Sequence, residues 1–238
     1  MSVARIVPTL DVEQQLIAEG AHYVIGLDEV GRGSLAGPVM VGAAVVDAAS
    51  SSRLSVPYGL ADSKMLTPAA REGMVESLKA WSCVWATGVA SNQEIDQWGI
   101  MYALGLAGLR ALEAVEQSLQ LRANSLSEGG QPIQISAILD GSYDYITPAS
   151  CMVEAPNLPL MPRVMTHVKA DATCASVSCA SVIAKVARDS LMVELSQKNP
   201  QYAPYDWEHN KGYGSAKHRQ AIAELGVTPY HRKSWHLS

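Results

Sequence analysis

Apolar positions along the chain fall into short runs alternating with longer periodic stretches. HYVIGLDE (22–29) and PVMVGAAVVD (38–47) are rich in Val and Ile and are separated by the Gly-rich GRGSLAG, which predicts two strands joined by a turn, an early hairpin. Thr67 followed by Pro68 reads as an N-cap with Pro at the first helical position, opening a helix to about Trp81, after which CVWATGVA (83–90) reads as a strand. Ser91 and Glu94 have capping-box spacing and start helical material that runs, with a break at Gly99, to about Leu121. A loop with Gly-Gly and Pro follows, then ISAILD (135–140), a buried strand ending at Asp140 and the turn-former Gly141. Residues 141–162 hold four Pro and no clear period, so they read as an irregular connection to a short strand, RVMTHVK (163–169). From about Thr173 to Lys198, Val177, Ala180, Ala184, Ala187 and Leu191 recur at three and four residues, marking one buried helix face. The tail YAPYDWEHNKGYGSAKHRQAIAELG reads as a polar, aromatic loop and a short helix. Strands with helices between them give an α/β fold, and the absence of repeats or linkers predicts a single domain over 1–238.

Composition narrows the class. Of 238 residues, 48% are hydrophobic and 17% charged, enough apolar surface for a sizeable core and too little charge for a disordered chain. The longest nearly apolar run, LAGPVMVGAAVV, falls short of the roughly 20 residues that cross a bilayer, and the N-terminal stretch meets acids before a secretory apolar region can form, so a cytoplasmic protein without a membrane partner is expected. Cys83, Cys151, Cys174 and Cys179 show no metal-type spacing and are read as reduced and structural. Phe is absent, which leaves Trp and Tyr to supply aromatic core positions. The net charge of −5 hides a segregation: residues 1–159 carry 8 basic and 17 acidic side chains, residues 160–238 carry 10 and 6. One face can therefore be basic while the whole is acidic.

Three acidic positions fall where a strand ends or a helix begins: the pair Asp28 and Glu29, Asp140, and Asp171. Ligands of open α/β sheets bind at strand ends, and carboxylates gathered there repel unless a cation neutralises them, which points to Mg²⁺ or Mn²⁺. Taken singly, Asp171 equally suits a helix cap, Asp140 a turn, and either of the pair a solvated surface. Neighbours on a regular strand point to opposite faces, so Asp28 and Glu29 face one cation together only if the chain leaves the strand at Glu29. Gly31 and Gly33 in GRG permit such a departure.

The strings YVIGLDEVGRGSLAGPVMVGAAVV, ADSKMLTPAARE, EIDQWGIMYALGLAGLRAL, ILDGSYDY, VKADATCASVSCASVIAKVARDSLM and NKGYGSAKHRQAIAELGVTPYHRKSW, in that order, closely resemble bacterial ribonuclease HII. The likeness spans about residues 22–235, leaving stretches near 48–58, 120–133 and 144–162 uncovered. It implies an RNase H-like fold, a mixed central sheet flanked by helices, with the family's four acids at Asp28, Glu29, Asp140 and Asp171. It implies hydrolysis of the RNA strand of RNA/DNA hybrids and of the bond 5′ to a single ribonucleotide in duplex DNA, leaving a 3′-hydroxyl and a 5′-phosphate. Where the family usually has Lys-Gly-Asp-Ala-Lys-Ser, this chain has Lys169-Ala170-Asp171-Ala172-Thr173-Cys174, so a Lys and a Ser near the site are missing.

Two divalent ions about 4 Å apart suffice for such hydrolysis, with Asp28 expected to bridge them and no Ser, Cys or His nucleophile required. Backbone groups of Gly31, Arg32 and Gly33 are candidates for testing the ribose 2′-hydroxyl, and Tyr213 in KGYG matches the family's aromatic that stacks on the next, deoxy sugar. Lys64, Lys169, Lys185, Arg188 and Lys211 are candidate phosphate contacts, although Lys185 and Asp189, four apart, equally suit an ion pair. His209, His218 and His231 are expected in structural or surface roles. The chain is expected to act as a monomer on nucleic acid. The competing readings are a type HIII ribonuclease preferring long hybrids and a non-catalytic, metal-dependent nucleic-acid binding module.

Overall fold

The computed structural model describes residues 6–123, 133–158 and 160–237. The Gly-Gly loop before the ISAILD strand and Pro159 lie outside them. Five strands, β1 (Tyr23–Val30), β2 (Val39–Asp47), β3 (Trp85–Ala90), β4 (Ile135–Asp140) and β5 (Arg163–His167), form one mixed sheet in the order β3-β2-β1-β4-β5. The first three pair antiparallel, and β1, β4 and β5 run parallel, so the C-terminal ends of β1 and β4 open on the same edge. The helices are α1 (Asp11–Ala18), α2 (Ala48–Ser51), α3 (Pro68–Trp81), α4 (Asn92–Trp98), α5 (Ile100–Ala123), α6 (Ile146–Ala149), α7 (Ala170–Thr173), α8 (Ala175–Lys198), α9 (Trp207–Asn210) and α10 (Ala216–Leu225), with 3₁₀ turns at Ser63–Met65 and Pro200–Tyr205.

Strand alternation sorts the core. Ile25, Leu27, Val41 and Ala43 face α5, whose Leu104, Ala107 and Leu112 are buried against them. Val24 and Ile138 face α8 and meet Val177, while Ala44 and Val46 meet Ala180 and Ile183. Helix and sheet approach closely because β2 carries Gly42, where a Cβ would lie 2.3 Å from the Ala180 carbonyl oxygen. The local signals hold: the Thr67 hydroxyl accepts from Ala70 N–H, Ser91 and Glu94 make both bonds of the capping box, and Gly99 separates α4 from α5 at φ +80°.

The structure also departs from the sequence reading. The irregular connection contains α6, and the helix expected from about Thr173 to Lys198 is present as the unbroken α8, preceded by the short α7 and an extended Cys174. Helix α1, which no periodicity announced, is held by a long-range bond: the Glu13 carboxylate accepts from Ser176 N–H and Oγ at 2.8 and 2.7 Å. Trp207, Tyr205, Tyr23 and Tyr145 are buried, whereas Tyr58 and Tyr143 are exposed, so aliphatic residues rather than aromatics replace Phe through most of the core. The tail packs its aromatics under the loop between β1 and β2: Trp207 and Tyr205 share a cluster with Leu35, Ala36 and Met192. Among the described residues no helix is long and apolar enough to cross a membrane. No disulfide joins the four cysteines, and burial pushes the Cys174 and Cys179 thiols up to about 12.

Candidate active site

All four acids lie at the edge where β1 and β4 end. Asp28 sits opposite Gly42 on the face covered by α8, is 5% exposed, and faces Ser181 of that helix, whose hydroxyl donates to Ser63. Burial, and then the charges of Glu29, Asp140 and Asp171, push its carboxyl well above the usual carboxylate range. Glu29 faces the other way. The ladder with β2 continues through Glu29↔Val41 and Val30↔Met40, so the chain does not leave the strand at Glu29 and the expected turning back of its side chain is wrong. Glu29 instead accepts from the buried Tyr145 hydroxyl at 3.3 Å and pairs with Arg32 at 3.5 Å. Burial raises its carboxyl, the Arg32 charge opposes that, and Asp140 adds to it. Burial and the same acids hold the Tyr145 phenol well above its ordinary value, so it remains a donor.

Asp140 ends β4, and its carboxylate accepts from the Asp171 N–H at 3.4 Å, tying the strand end to the start of α7. Burial raises its carboxyl first and the Asp171 charge second. Asp171 is 5% exposed and accepts from the Lys64 ammonium at 3.0 Å, a contact between residues 107 apart in sequence. Burial works against the Lys64 charge, but the bond to Asp171 and the fields of Asp171, Asp28 and Asp62 hold that ammonium above its ordinary value. Among the described residues, no three carboxylate, imidazole or thiol side chains are already drawn into one ligand cage. The donor chemistry is nonetheless that of hard oxygen ligands, and the cation lodged against Asp171 shows that this edge attracts positive charge.

The GRG loop follows directly. Gly31 has φ +83°, and a Cβ there would lie 2.0 Å from Arg188 Nε, so both the turn and the packing require glycine. Arg188 is fully buried and donates to the carbonyls of Pro38, Lys211 and Ala36 at 2.9, 3.0 and 3.2 Å. Its assignment as a phosphate contact is therefore wrong, since no part of its side chain reaches solvent. Arg232, which the sequence reading did not single out, is equally buried and donates to the carbonyls of Gly31, Arg32, Gly37 and Pro38.

Of the remaining basic candidates, Lys185 and Lys211 stand around Tyr213, which is half-buried. Lys185 lies 5.4 Å from the Tyr213 ring centroid and pairs with Asp189 at 2.8 Å. Lys211, in a left-handed conformation, donates to the Glu208 carbonyl. These residues border a cleft of about 590 Å³ between α3, α8 and the loop after α9. Lys169 is exposed at the start of α7, next to Asp171. At the three departures from the usual motif, Ala170 and Cys174 are buried and Thr173 bonds to the Lys169 carbonyl. His218 and His231 are buried against Trp207 and each other, and His209 is on the surface beside Asp206, as structural roles require.

Comparison with known proteins adds an independent line. The family described as Ribonuclease HII matches residues 25–238. The chain is 42% identical over 230 residues to the ribonuclease HII of Streptomyces griseus subsp. griseus, covering 96% of this chain and 84% of that protein. Among solved structures, ribonuclease H2 from Pyrococcus horikoshii OT3 superposes with a TM-score of 0.59 at 27% identity, over 90% of this chain and 94% of that one. Bst-RNase HIII in complex with Mn²⁺ superposes with a TM-score of 0.57 at 24% identity, over 87% of this chain and 64% of that one, a likeness of fold alone.

Proposed function

The chain belongs to the ribonuclease HII family and is a ribonuclease H. From that premise we propose that it hydrolyses the RNA strand of RNA/DNA hybrids and cuts 5′ to single ribonucleotides in duplex DNA, using Asp28, Glu29, Asp140 and Asp171. The observation that carries this reading is the gathering of four carboxylates from three elements at one sheet edge, where the Asp171 N–H bonds Asp140 and the charges of Glu29, Asp140 and Asp171 all raise the proton affinity of Asp28. Such a set fits divalent cations, and Mg²⁺ or Mn²⁺ held by these four residues would supply an activated water and stabilise the leaving oxygen. A Mn²⁺-bound relative of the same fold supports a divalent requirement here.

The chain's own groups supply the rest. Tyr145 fixes the Glu29 carboxylate by donating to it, and Asp140 fixes the start of α7 by accepting the Asp171 N–H. Lys64, whose side chain is 74% exposed beyond its bond to Asp171, is placed to swing to a phosphate oxygen. Lys169, Lys185 and Lys211 contact phosphates further along the strand. The exposed backbone of Arg32 and Gly33 meets the 2′-hydroxyl, and the Tyr213 ring packs on the adjoining sugar that lacks one.

The test is a duplex DNA with one embedded ribonucleotide, incubated with Mg²⁺, with EDTA, and beside an all-DNA control. The expected result is one cut on the 5′ side of the ribonucleotide, absent with EDTA and absent from the control. A cut on the 3′ side, or one that survives EDTA, rules the proposal out.

A further inference from the structure

Arg188 and Arg232 are fully buried, and among the described residues neither has a carboxylate in ion-pair contact, Asp189 and Asp96 acting on them only from further off. A buried charge without a counter-charge is costly, so the groups that solvate it are held firmly. Here those groups are six backbone carbonyls: Gly31, Arg32, Gly37 and Pro38 around Arg232, and Ala36, Pro38 and Lys211 around Arg188. The two guanidiniums meet at Pro38, whose carbonyl accepts from both at 2.9 and 3.3 Å.

The direction of these carbonyls fixes what the loop shows to solvent. In a trans peptide the C=O of one residue and the N–H of the next point opposite ways. Arg232 draws the Gly31 carbonyl inward at 2.7 Å, which turns the Arg32 N–H outward. It draws the Arg32 carbonyl inward at 2.8 Å, which turns the Gly33 N–H outward. Arg32 and Gly33 are both exposed, and the space where a Gly33 side chain would stand is open. Arg188 carries the same scaffold to the other recognition element, since it holds the Lys211 carbonyl and lies 5.5 Å from the Tyr213 ring.

We propose that Arg232, braced by Arg188 through the shared Pro38 carbonyl, is the positioning residue that aims the Arg32 and Gly33 N–H groups at the sugar hydroxyl of the substrate. This rests on the reading that the GRG backbone tests the 2′-hydroxyl, and the two can fail separately.

The experiment measures binding of two duplexes that differ only in one 2′-hydroxyl against 2′-hydrogen. All proteins carry Asp140→Asn so that nothing is cut. With both arginines native, the hydroxyl duplex should bind about tenfold more tightly, as expected for one or two hydrogen bonds to a neutral group. Arg232→Lys keeps the charge but cannot reach several carbonyls in fixed geometry, so the preference should fall to within about twofold of unity while the all-deoxy duplex keeps its affinity. Arg188→Lys should lower the preference in the same direction by about threefold. An unchanged preference in Arg232→Lys, or equal weakening of both duplexes, overturns the proposal and leaves the arginine a plain packing role. Absence of any preference with both arginines native instead refutes the reading of GRG. Should Arg232→Lys not fold, the Arg32 and Gly33 amide resonances of Arg188→Lys decide: in the parent they should move with the hydroxyl duplex and not with the deoxy one, and Arg188→Lys should lose part of that difference. An Arg188→Lys protein whose amides discriminate as the parent's do overturns the proposal.

Discussion

Replacing Gly42 with Ala is the sharpest test of how packing holds the site. The new methyl would lie 2.3 Å from the Ala180 carbonyl oxygen and 2.9 Å from the Ala184 Cβ, about 1 Å inside ordinary contact, which begins near 3.4 Å. The obstruction is helix backbone, so no side chain can rotate away, and α8 must retreat from β2. Overpacking of this kind costs about 1–3 kcal/mol, and a main-chain obstruction belongs at the upper end. For a chain of this size each kcal/mol shifts the melting temperature by about 2–4 °C, so a fall of roughly 6–12 °C is expected. Function should suffer more than stability. Gly42 pairs with Asp28, and the Asp28 carboxyl lies against Ser181, the residue after Ala180, so a 1 Å retreat of α8 disturbs the setting of one of the four acids. Misplacement on that scale costs about 100-fold in rate. Thermal unfolding by circular dichroism and kcat on a ribonucleotide-containing duplex measure the two effects. Gly73→Ala is the control: it lies in α3 with nothing within 4 Å, and the substitution should raise the melting temperature by about 2–4 °C through helix propensity. If Gly42→Ala melts within 2 °C of the parent and keeps kcat within about threefold, the packing argument is wrong.

Asp28→Asn should cost at least about 100-fold in turnover yet leave the metal-free protein as stable as the parent or more so at pH 7.5. The folded Asp28 carboxyl lies above its unfolded value, so the folded state binds the proton more tightly and parent stability declines as pH rises above the ordinary carboxylate range. The advantage of Asn should therefore shrink towards pH 4, and a melting difference independent of pH would contradict the shift. Tyr213→Ala should lower kcat/KM more at a single embedded ribonucleotide than on a continuous RNA/DNA hybrid, where no junction exists; equal fractional losses on both would return Tyr213 to a packing role. Affinity for nucleic acid should fall with salt despite the net charge of −5, because the +4 of residues 160–238 meets the phosphates, and Lys211→Ala should flatten that dependence. A salt-independent affinity would remove the charge-segregation argument.

Local signals carried over into the fold most faithfully. The Ser91 capping box, the Thr67 cap before Pro68 and the hairpin of β1 and β2 each rest on groups within a few residues of one another. Period-two alternation also placed Asp28 and Glu29 on opposite faces, and the structure keeps them there. The proposed escape through GRG failed because β2 offers ladder partners as far as Met40, and a strand keeps its geometry while its partner continues. Arg188 was misjudged by its charge. It stands four residues after Ala184 and four before Met192, both fully buried, so helical spacing already marked its place on the inner stripe. Lys64 on Asp171 and Glu13 on Ser176 join residues 107 and 163 positions apart, and no periodicity in one sequence links such pairs.

The opposite facing of Asp28 and Glu29 first looks like an obstacle to a shared site and becomes its organising feature once β4 is included. β1 pairs with β4 in parallel register up to Leu27↔Leu139, so Asp140 ends β4 alongside the position where Asp28 and Glu29 diverge. Its charge is felt by both: it raises Asp28 on the α8 side and Glu29 on the α5 side. Each face then has its own partners, Ser181 for Asp28 and Tyr145 with Arg32 for Glu29, so neither carboxylate relies on the other for its position. On the proposed reading, in-line displacement at phosphorus requires the entering and leaving oxygens on opposite sides of the phosphate. A sheet edge with one acid on each face and a third beside the point where they part can address both sides of a phosphate seated across it, which a cluster on a single face cannot.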